Sequence, residues 1–278
     1  MIMTVREVLA ETSIDRREAE IILCSVLKKD RLFVLVHSDY VLTDREKELF
    51  FSFAEKRKKG EPLPYILKKR EFYGREFTVS ENTLIPRPET ELIIDEAKKL
   101  FRKTENIKVL DLCTGSGCIG ITISCEFPLS RVIMSDICPK ALCVCNENLL
   151  KFTEKYSLSG HWTEIVRSDM FENIPKIKYD LIVSNPPYIP TEDIKDLDSD
   201  VKREPAKALD GGKDGLDFYR IIFCRAETYL SEKGYIILEC GFDQSESIRH
   251  LAENKGYECT FAKDFQNIER CAVIKKKI

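Results

Sequence analysis

From Lys108 onward, short apolar runs bounded by turn residues alternate with segments of helix length, and this leaves few folds open to the chain. The runs occupy residues 109–112, 131–136, 179–184 and 234–239, with a weaker one at 164–167. Helical stretches lie between them, around 119–126, 140–152 and 218–230. Strands joined through helices run parallel, and runs this apolar must be covered on both faces. The last two runs, 258–262 and 270–274, are too close for a helical crossover and are expected to pair antiparallel at a sheet edge. The chain is therefore α/β over this part.

Before Lys108 the pattern is different. Thr4 with Glu7 has the form of a capping box, Asp15 leads into helix-like apolar recurrence over 17–27, and Thr43 with Glu46 opens another helix. That helix runs through Leu49, Phe50 and Phe53 to a basic end at Lys56–Lys59, where cations suit the helix dipole. Glu61-Pro62-Leu63-Pro64 breaks the helical pattern, and 71–79 read as short strands around Gly74. An amphipathic helix is expected over 89–101. The expected organisation is a small helical domain over 1–68, a connector with a β-hairpin over 69–88, and a nucleotide-binding domain over 89–278.

Charge narrows the function. The 278 residues carry 44 basic and 47 acidic side chains, a net charge of -3. That balance argues against a protein gripping long nucleic acid mainly by phosphate neutralisation. No apolar run has the length of a membrane span, and the first ten residues include Glu7 and no apolar signal core, so a cytoplasmic protein is expected. In that compartment 11 scattered cysteines, an odd count with no C-x-x-C pair, read as neither a disulfide framework nor a zinc site. Cys24 and Cys240 are expected as small apolar fillers, and the cluster Cys138, Cys143, Cys145 as more of the same. His37, His161 and His250 have no partners at ligand or triad spacing, so no metal is expected.

Two stretches carry chemistry. Asp111-Leu112-Cys113-Thr114-Gly115-Ser116-Gly117-Cys118-Ile119-Gly120 follows a strand and opens a helix, where glycines allow close backbone approach to a ligand. Asp136 closes the next strand, placed to accept from the hydroxyls of an adenosine ribose. On these features alone a nicotinamide enzyme stays open, because Gly115-x-Gly117-x-x-Gly120 fits the dinucleotide fingerprint. Asp169 after the weak strand could accept from an adenine amino group, with Met170 or Phe171 against the ring.

The second stretch, Ser184-Asn185-Pro186-Pro187-Tyr188-Ile189, separates these chemistries. The prolines have no N–H, so their carbonyls stand as unopposed acceptors, and the Asn185 side-chain oxygen adds another. Tyr188 supplies a flat face for a planar group. Such a loop holds an NH2 group with its lone pair free to face a methyl donor. It needs no strong base and no metal, and hydride transfer has no use for it.

With these residues the chain closely resembles the release factor glutamine methyltransferase family (PrmC/HemK). The resemblance also rests on Pro64-Tyr65-Ile66, Phe72-Tyr73-Gly74, the run from Leu84 to Glu91, Glu204-Pro205 and the run from Ala208 to Leu216, in the family's order. It implies a class I (Rossmann-like) methyltransferase domain with a seven-stranded, mostly parallel sheet, preceded by a helical domain that helps dock the substrate protein. It implies S-adenosyl-L-methionine as cofactor, S-adenosyl-L-homocysteine as product, and as substrate the glutamine of the Gly-Gly-Gln motif in peptide chain release factors. Cofactor contacts are then expected at Asp111, Cys113, Thr114, Gly115, Ser116, Gly117, Asp136, Ile137, Asp169, Met170 and Asn185. The glutamine amide is expected at Asn185, Pro186, Pro187 and Tyr188, with Asn185, Pro186 and Tyr188 catalytic and Arg87 and Glu89 helping to close the site. Cys113 stands where the family has a glycine, and Met170 where an aromatic is common.

Two other readings compete. An adenine-N6 nucleic-acid methyltransferase shares the Asn185–Tyr188 loop, but it would want a basic target-recognition surface that the charge balance does not supply. A binding protein acting on translation components, through Lys56–Lys59 and Lys275–Lys277, would not need that loop. The expectation is a monomeric enzyme acting on a protein, with no DNA or membrane partner.

Overall fold

The computed structural model describes residues 3–156 and 162–277, in two compact units. One comprises the chain up to Lys69 together with Asp198–Arg203; the other comprises Arg70–Leu197 and the chain from Glu204.

The first unit is helical: Val5–Glu11, Arg16–Leu27, Arg31–Val36, Asp44–Lys58 and Leu63–Leu67. Both capping boxes form, Thr4 with Glu7 and Thr43 with Glu46, each satisfying orphan amides in a first turn. Val5, Val8, Ile22, Leu23 and Phe50 are fully buried between the helices. Two features depart from expectation. Leu63–Leu67 is a short helix that begins at the prolines, since a first-turn residue needs no N–H. The basic helix end does more than suit the dipole: Arg57 Nε lies 2.9 Å from Glu18 and Arg57 Nη2 2.9 Å from Asp200. Arg203 adds a 2.6 Å bond to the Lys59 carbonyl, so Asp198–Arg203 belongs with helices far away in sequence.

The second unit is built on seven strands: β1 (Lys108–Leu112), β2 (Arg131–Asp136), β3 (Trp162–Arg167), β4 (Tyr179–Ser184), β5 (Leu230–Glu239), β6 (Tyr257–Lys263) and β7 (Glu269–Lys276). Their order is β3-β2-β1-β4-β5-β7-β6, and β7 alone runs opposite to the other six. Alternate residues feed the two faces. Leu110, Leu112 and Ile182 pack under the helices Asp217–Tyr229 and Ser245–Glu253, whereas Val109, Val132, Met134 and Val183 pack under Glu91–Leu100, Cys118–Glu126 and Pro139–Tyr156. β5 begins at Leu230, earlier than its apolar run, with a register shift beside Tyr179–Leu181. The helix expected from residue 89 begins as a 3₁₀ turn, Pro88–Thr90, before Glu91–Leu100.

Candidate active site

The strand order reverses between β1 and β4, and a crevice opens there at the carboxyl ends of the strands. It is a cavity of about 260 Å³ walled by four strand-end loops, together with Asn82, Thr83, Leu84, Pro86, Thr90, Phe218 and residues 205–208. Cys113, Thr114, Gly115 and Ser116 come from the loop after β1; Asp136 and Ile137 end β2; Asp169 and Met170 follow β3; Asn185 and Pro187 follow β4. Of the residues singled out in the sequence, Asp111, Gly117, Pro186, Tyr188, Arg87 and Glu89 do not line this cavity.

Asp111 lies beneath the loop. It is fully buried, and its Oδ2 accepts from the Thr114 hydroxyl and, at 2.9 Å, from the Gly120 amide, while Oδ1 has no partner. Burial pushes its pKa up to about 7. Cys113, Gly115 and Gly117 all have left-handed backbones, with φ of 56°, 56° and 83°. The glycine-like φ at Cys113 shows why a glycine suits that position, and the thiol sits 3.8 Å from Met170 Sδ. A Cβ on Gly117 would come within 2.8 Å of Cys145 Sγ.

Asp136 Oδ2 accepts from the Gly115 amide at 3.0 Å and Oδ1 from the Cys138 amide at 2.8 Å. It therefore anchors the glycine loop and begins the next turn, and each oxygen keeps a further lone pair for a ligand. Burial raises its pKa. Met170 faces the cavity, but Phe171 turns into the core and stacks on Tyr229 at 4.8 Å, so only Met170 is available to a ring in the cavity.

Asn185 donates through Nδ2 to Thr90 Oγ1 at 3.2 Å, and its Oδ1 is buried without a partner. Among the described residues the carbonyls of Pro186 and Pro187 receive no hydrogen bond. Tyr188 is half-buried, its hydroxyl donates to Glu239 Oε1 at 3.3 Å, and its own carbonyl is taken by Gln244 at 2.9 Å. Gly211 and Gly215 pack on the Tyr188 backbone so closely that a Cβ on either would clash with it. The run from Ala208 to Leu216 is thus a brace for the Asn185–Tyr188 loop.

Arg87 pairs with buried Glu204, not with Glu89, and the other Glu204 oxygen accepts from the Ile85 amide at 2.9 Å. Among the residues not named as site residues from the sequence are Thr90, which also lines the cavity, and Glu239, which ends β5. An acid closing an apolar strand beside the switch point was the available signal for Glu239.

The eleven cysteines are free, and among the described residues no group of three or more His, Cys, Asp or Glu side chains could hold a metal. His37 stacks on Phe33 at 4.3 Å; His161 lies outside the described residues. No helix among the described residues is long and apolar enough to cross a membrane.

Residues 2–67 match the family described as PrmC N-terminal domain, and residues 90–213 match Methyltransferase small domain. The release factor glutamine methyltransferase of Geobacter sulfurreducens is 37% identical over 269 residues, covering 95% of this chain and 92% of the relative. That of Borreliella burgdorferi is 40% identical over 246 residues, covering 88% and 83%. Among solved structures, a methyltransferase from Pyrococcus furiosus is similar with a TM-score of 0.56 at 18% identity, covering 82% of this chain and 100% of that one. The hMettl16 catalytic domain in complex with MAT2A 3'UTR hairpin 1 is similar with a TM-score of 0.58 at 14% identity, covering 85% and 82%; at such identities these two speak for the fold alone. With its seven-stranded sheet, its glycine loop and its relatives over nearly the whole length, the chain is an S-adenosylmethionine-dependent methyltransferase and belongs to the release factor glutamine methyltransferase family.

Proposed function

We propose that this enzyme methylates the side-chain amide nitrogen (N5) of the glutamine in the Gly-Gly-Gln motif of peptide chain release factors. The observation that carries the reading is the Asn185 amide: its nitrogen is anchored on Thr90, and its oxygen is buried in the cavity wall without a partner. A buried carbonyl oxygen left unpaired costs about 1–3 kcal/mol, which an incoming N–H recovers. The names of the relatives point to the glutamine of a release factor as the source of that N–H.

The cavity fits the cofactor. Left-handed Cys113, Gly115 and Gly117 turn the loop tightly, Asp136 offers spare lone pairs at a strand end, and the Ser116 hydroxyl is buried without a partner. Cys113–Gly117 would hold the methionine part, Asp136 with Ile137 the ribose, and Asp169 with Met170 the adenine. When bound, S-adenosylmethionine supplies a sulfonium methyl as electrophile. The chain's own work is positional: Asn185 Oδ1 and the Pro186 carbonyl accept the two amide N–H groups, which directs the nitrogen lone pair along one line. The same acceptors stabilise positive charge as it grows on nitrogen, before that nitrogen gives up a proton to water. Tyr188 flanks the planar group, and the Arg87–Glu204 pair fixes the loop beside it. The helical unit docks the protein substrate, and the enzyme works as a cytoplasmic monomer.

Labelled S-adenosylmethionine offered with a release factor or with DNA, followed by mass spectrometry of the product, tests this. Methyl on the Gly-Gly-Gln glutamine is expected. Label that persists after that glutamine is changed to alanine, or that goes to adenine in DNA, overturns it.

A further inference from the structure

We infer that Thr90 and Glu239 are positioning residues that decide which end of the Asn185 amide faces the cavity. The inference rests on the reading above, that Asn185 Oδ1 accepts from the substrate NH2.

An asparagine amide has two ends of nearly the same shape, and a flip exchanges an acceptor for a donor. With the NH2 end toward the substrate, donor would meet donor and the amide could not be held. What fixes the end is the hydroxyl of Thr90. A hydroxyl has one proton to give. That of Thr90 goes to Glu239 Oε2 in a short contact between two buried side chains. With its proton committed, Thr90 Oγ1 can only accept, so Asn185 must turn Nδ2 toward it, as it does at 3.2 Å. Oδ1 is then left buried without a partner, in a residue that lines the cavity. The other Glu239 oxygen accepts from the Tyr188 hydroxyl at 3.3 Å, so one carboxylate fixes both ends of the Asn185–Tyr188 loop.

Glu239 is itself held in place. Its backbone carbonyl accepts from the Tyr219 hydroxyl at 2.8 Å, and its strand is paired with β4 and β7 on either side. The direction of the relay depends on its ionisation. An ionised carboxylate only accepts, whereas a protonated one can donate to Thr90 Oγ1, free the Thr90 proton for Asn185 Oδ1 and favour the flipped amide. Burial raises its pKa to about 7; the Thr90 and Tyr188 hydroxyls oppose that shift, Glu89 adds to it and Arg270 works against it. The thiols of Cys240, Cys118 and Cys271 and the Tyr219 hydroxyl are also close enough to feel its charge. The relay is therefore correctly set on the alkaline side of about pH 7.

The experiment uses the full-length enzyme with a release factor, comparing Thr90→Val, Thr90→Ser and Glu239→Gln. Thr90→Val keeps the shape and removes the hydroxyl, and a fall in kcat of about tenfold to a hundredfold is expected. Affinity for S-adenosylhomocysteine, followed by calorimetry, should fall by less than kcat does, because the Thr90 hydroxyl is committed to Glu239 and Asn185. Thr90→Ser restores the relay and should recover most of the turnover, which a purely packing role for the threonine methyl would not allow. Glu239→Gln should abolish the acid limb of the kcat–pH profile, because no group is left in the relay to titrate. Wild-type turnover in Thr90→Val, Thr90→Ser as slow as Thr90→Val, or an unchanged acid limb in Glu239→Gln overturns the inference. If Thr90→Val does not fold, the serine variant and the pH profile still decide. A wild-type enzyme that leaves release factor unmethylated refutes the substrate reading instead, so the two failures are distinct.

Discussion

Replacing Gly120 with alanine sets a local preference against a tertiary contact. In an isolated helix the change stabilises by about 1 kcal/mol, because alanine loses less backbone freedom. Here a Cβ would stand 2.5 Å from Met134 Cγ, 2.7 Å from Met134 Sδ and 2.9 Å from Asp111 Oδ2. Met134 is fully buried in the sheet, with Cys145 against its sulfur, so it has little room to retreat. Overpacking of this kind costs about 1–3 kcal/mol. Moving the helix start away would also lengthen the 2.9 Å bond from the Gly120 amide to Asp111, worth about 1 kcal/mol. The sum is a net loss of about 1–3 kcal/mol, read as a melting temperature lower by roughly 2–10 °C and a lower urea midpoint. Since Asp111 also holds Thr114, affinity for S-adenosylhomocysteine should fall several-fold with it. A Gly120→Ala protein that melts at or above the wild-type temperature would show that helix and strand are not in close contact at this point.

Three other outcomes follow from the same region. Asp111 has a folded pKa raised to about 7 from 3.8, so its protonated form is favoured by folding; stability is full below about pH 4 and is lost as pH rises to about 7. Between about pH 5 and about pH 8 Asp111 contributes about 3 kcal/mol of loss, and urea titrations should find the pH dependence reduced by about that much in Asp111→Asn, while buried Glu239 keeps its own share; equal pH slopes for the two proteins would refute the burial argument. Cys113→Gly should be tolerated with cofactor binding intact, whereas Cys113→Val should cost about 1–2 kcal/mol, because a β-branched residue resists the left-handed backbone there; equal melting temperatures for the two would contradict this. Asp136→Ala should weaken S-adenosylhomocysteine binding by about tenfold to a hundredfold in calorimetry, and undiminished affinity would remove Asp136 from the cofactor site.

The amino-acid sequence by itself determined the features whose cause is local. Alternating apolar runs specified a mostly parallel sheet, the short gap before the last run made β7 antiparallel, and the capping boxes at Thr4 and Thr43 started their helices. The glycine loop, Asp136 and the Asn185–Tyr188 loop were legible for the same reason: each is a contiguous stretch tied to the end of a strand. Only the tertiary structure decided what those stretches meet. Thr90 and Glu239 are 149 positions apart, and Arg87 and Glu204 are 117 apart. Side-chain hydrogen bonds at such separations leave no periodic trace in the sequence. Asp198–Arg203 joins the helical unit through Arg57 and Lys59, although nothing in its own composition directs it there. The inward turn of Phe171 was settled by the Tyr229 ring it stacks on. The sequence placed an amide after the fourth strand; the fold, through one threonine hydroxyl and one buried carboxylate, decided which of its two ends meets Thr90.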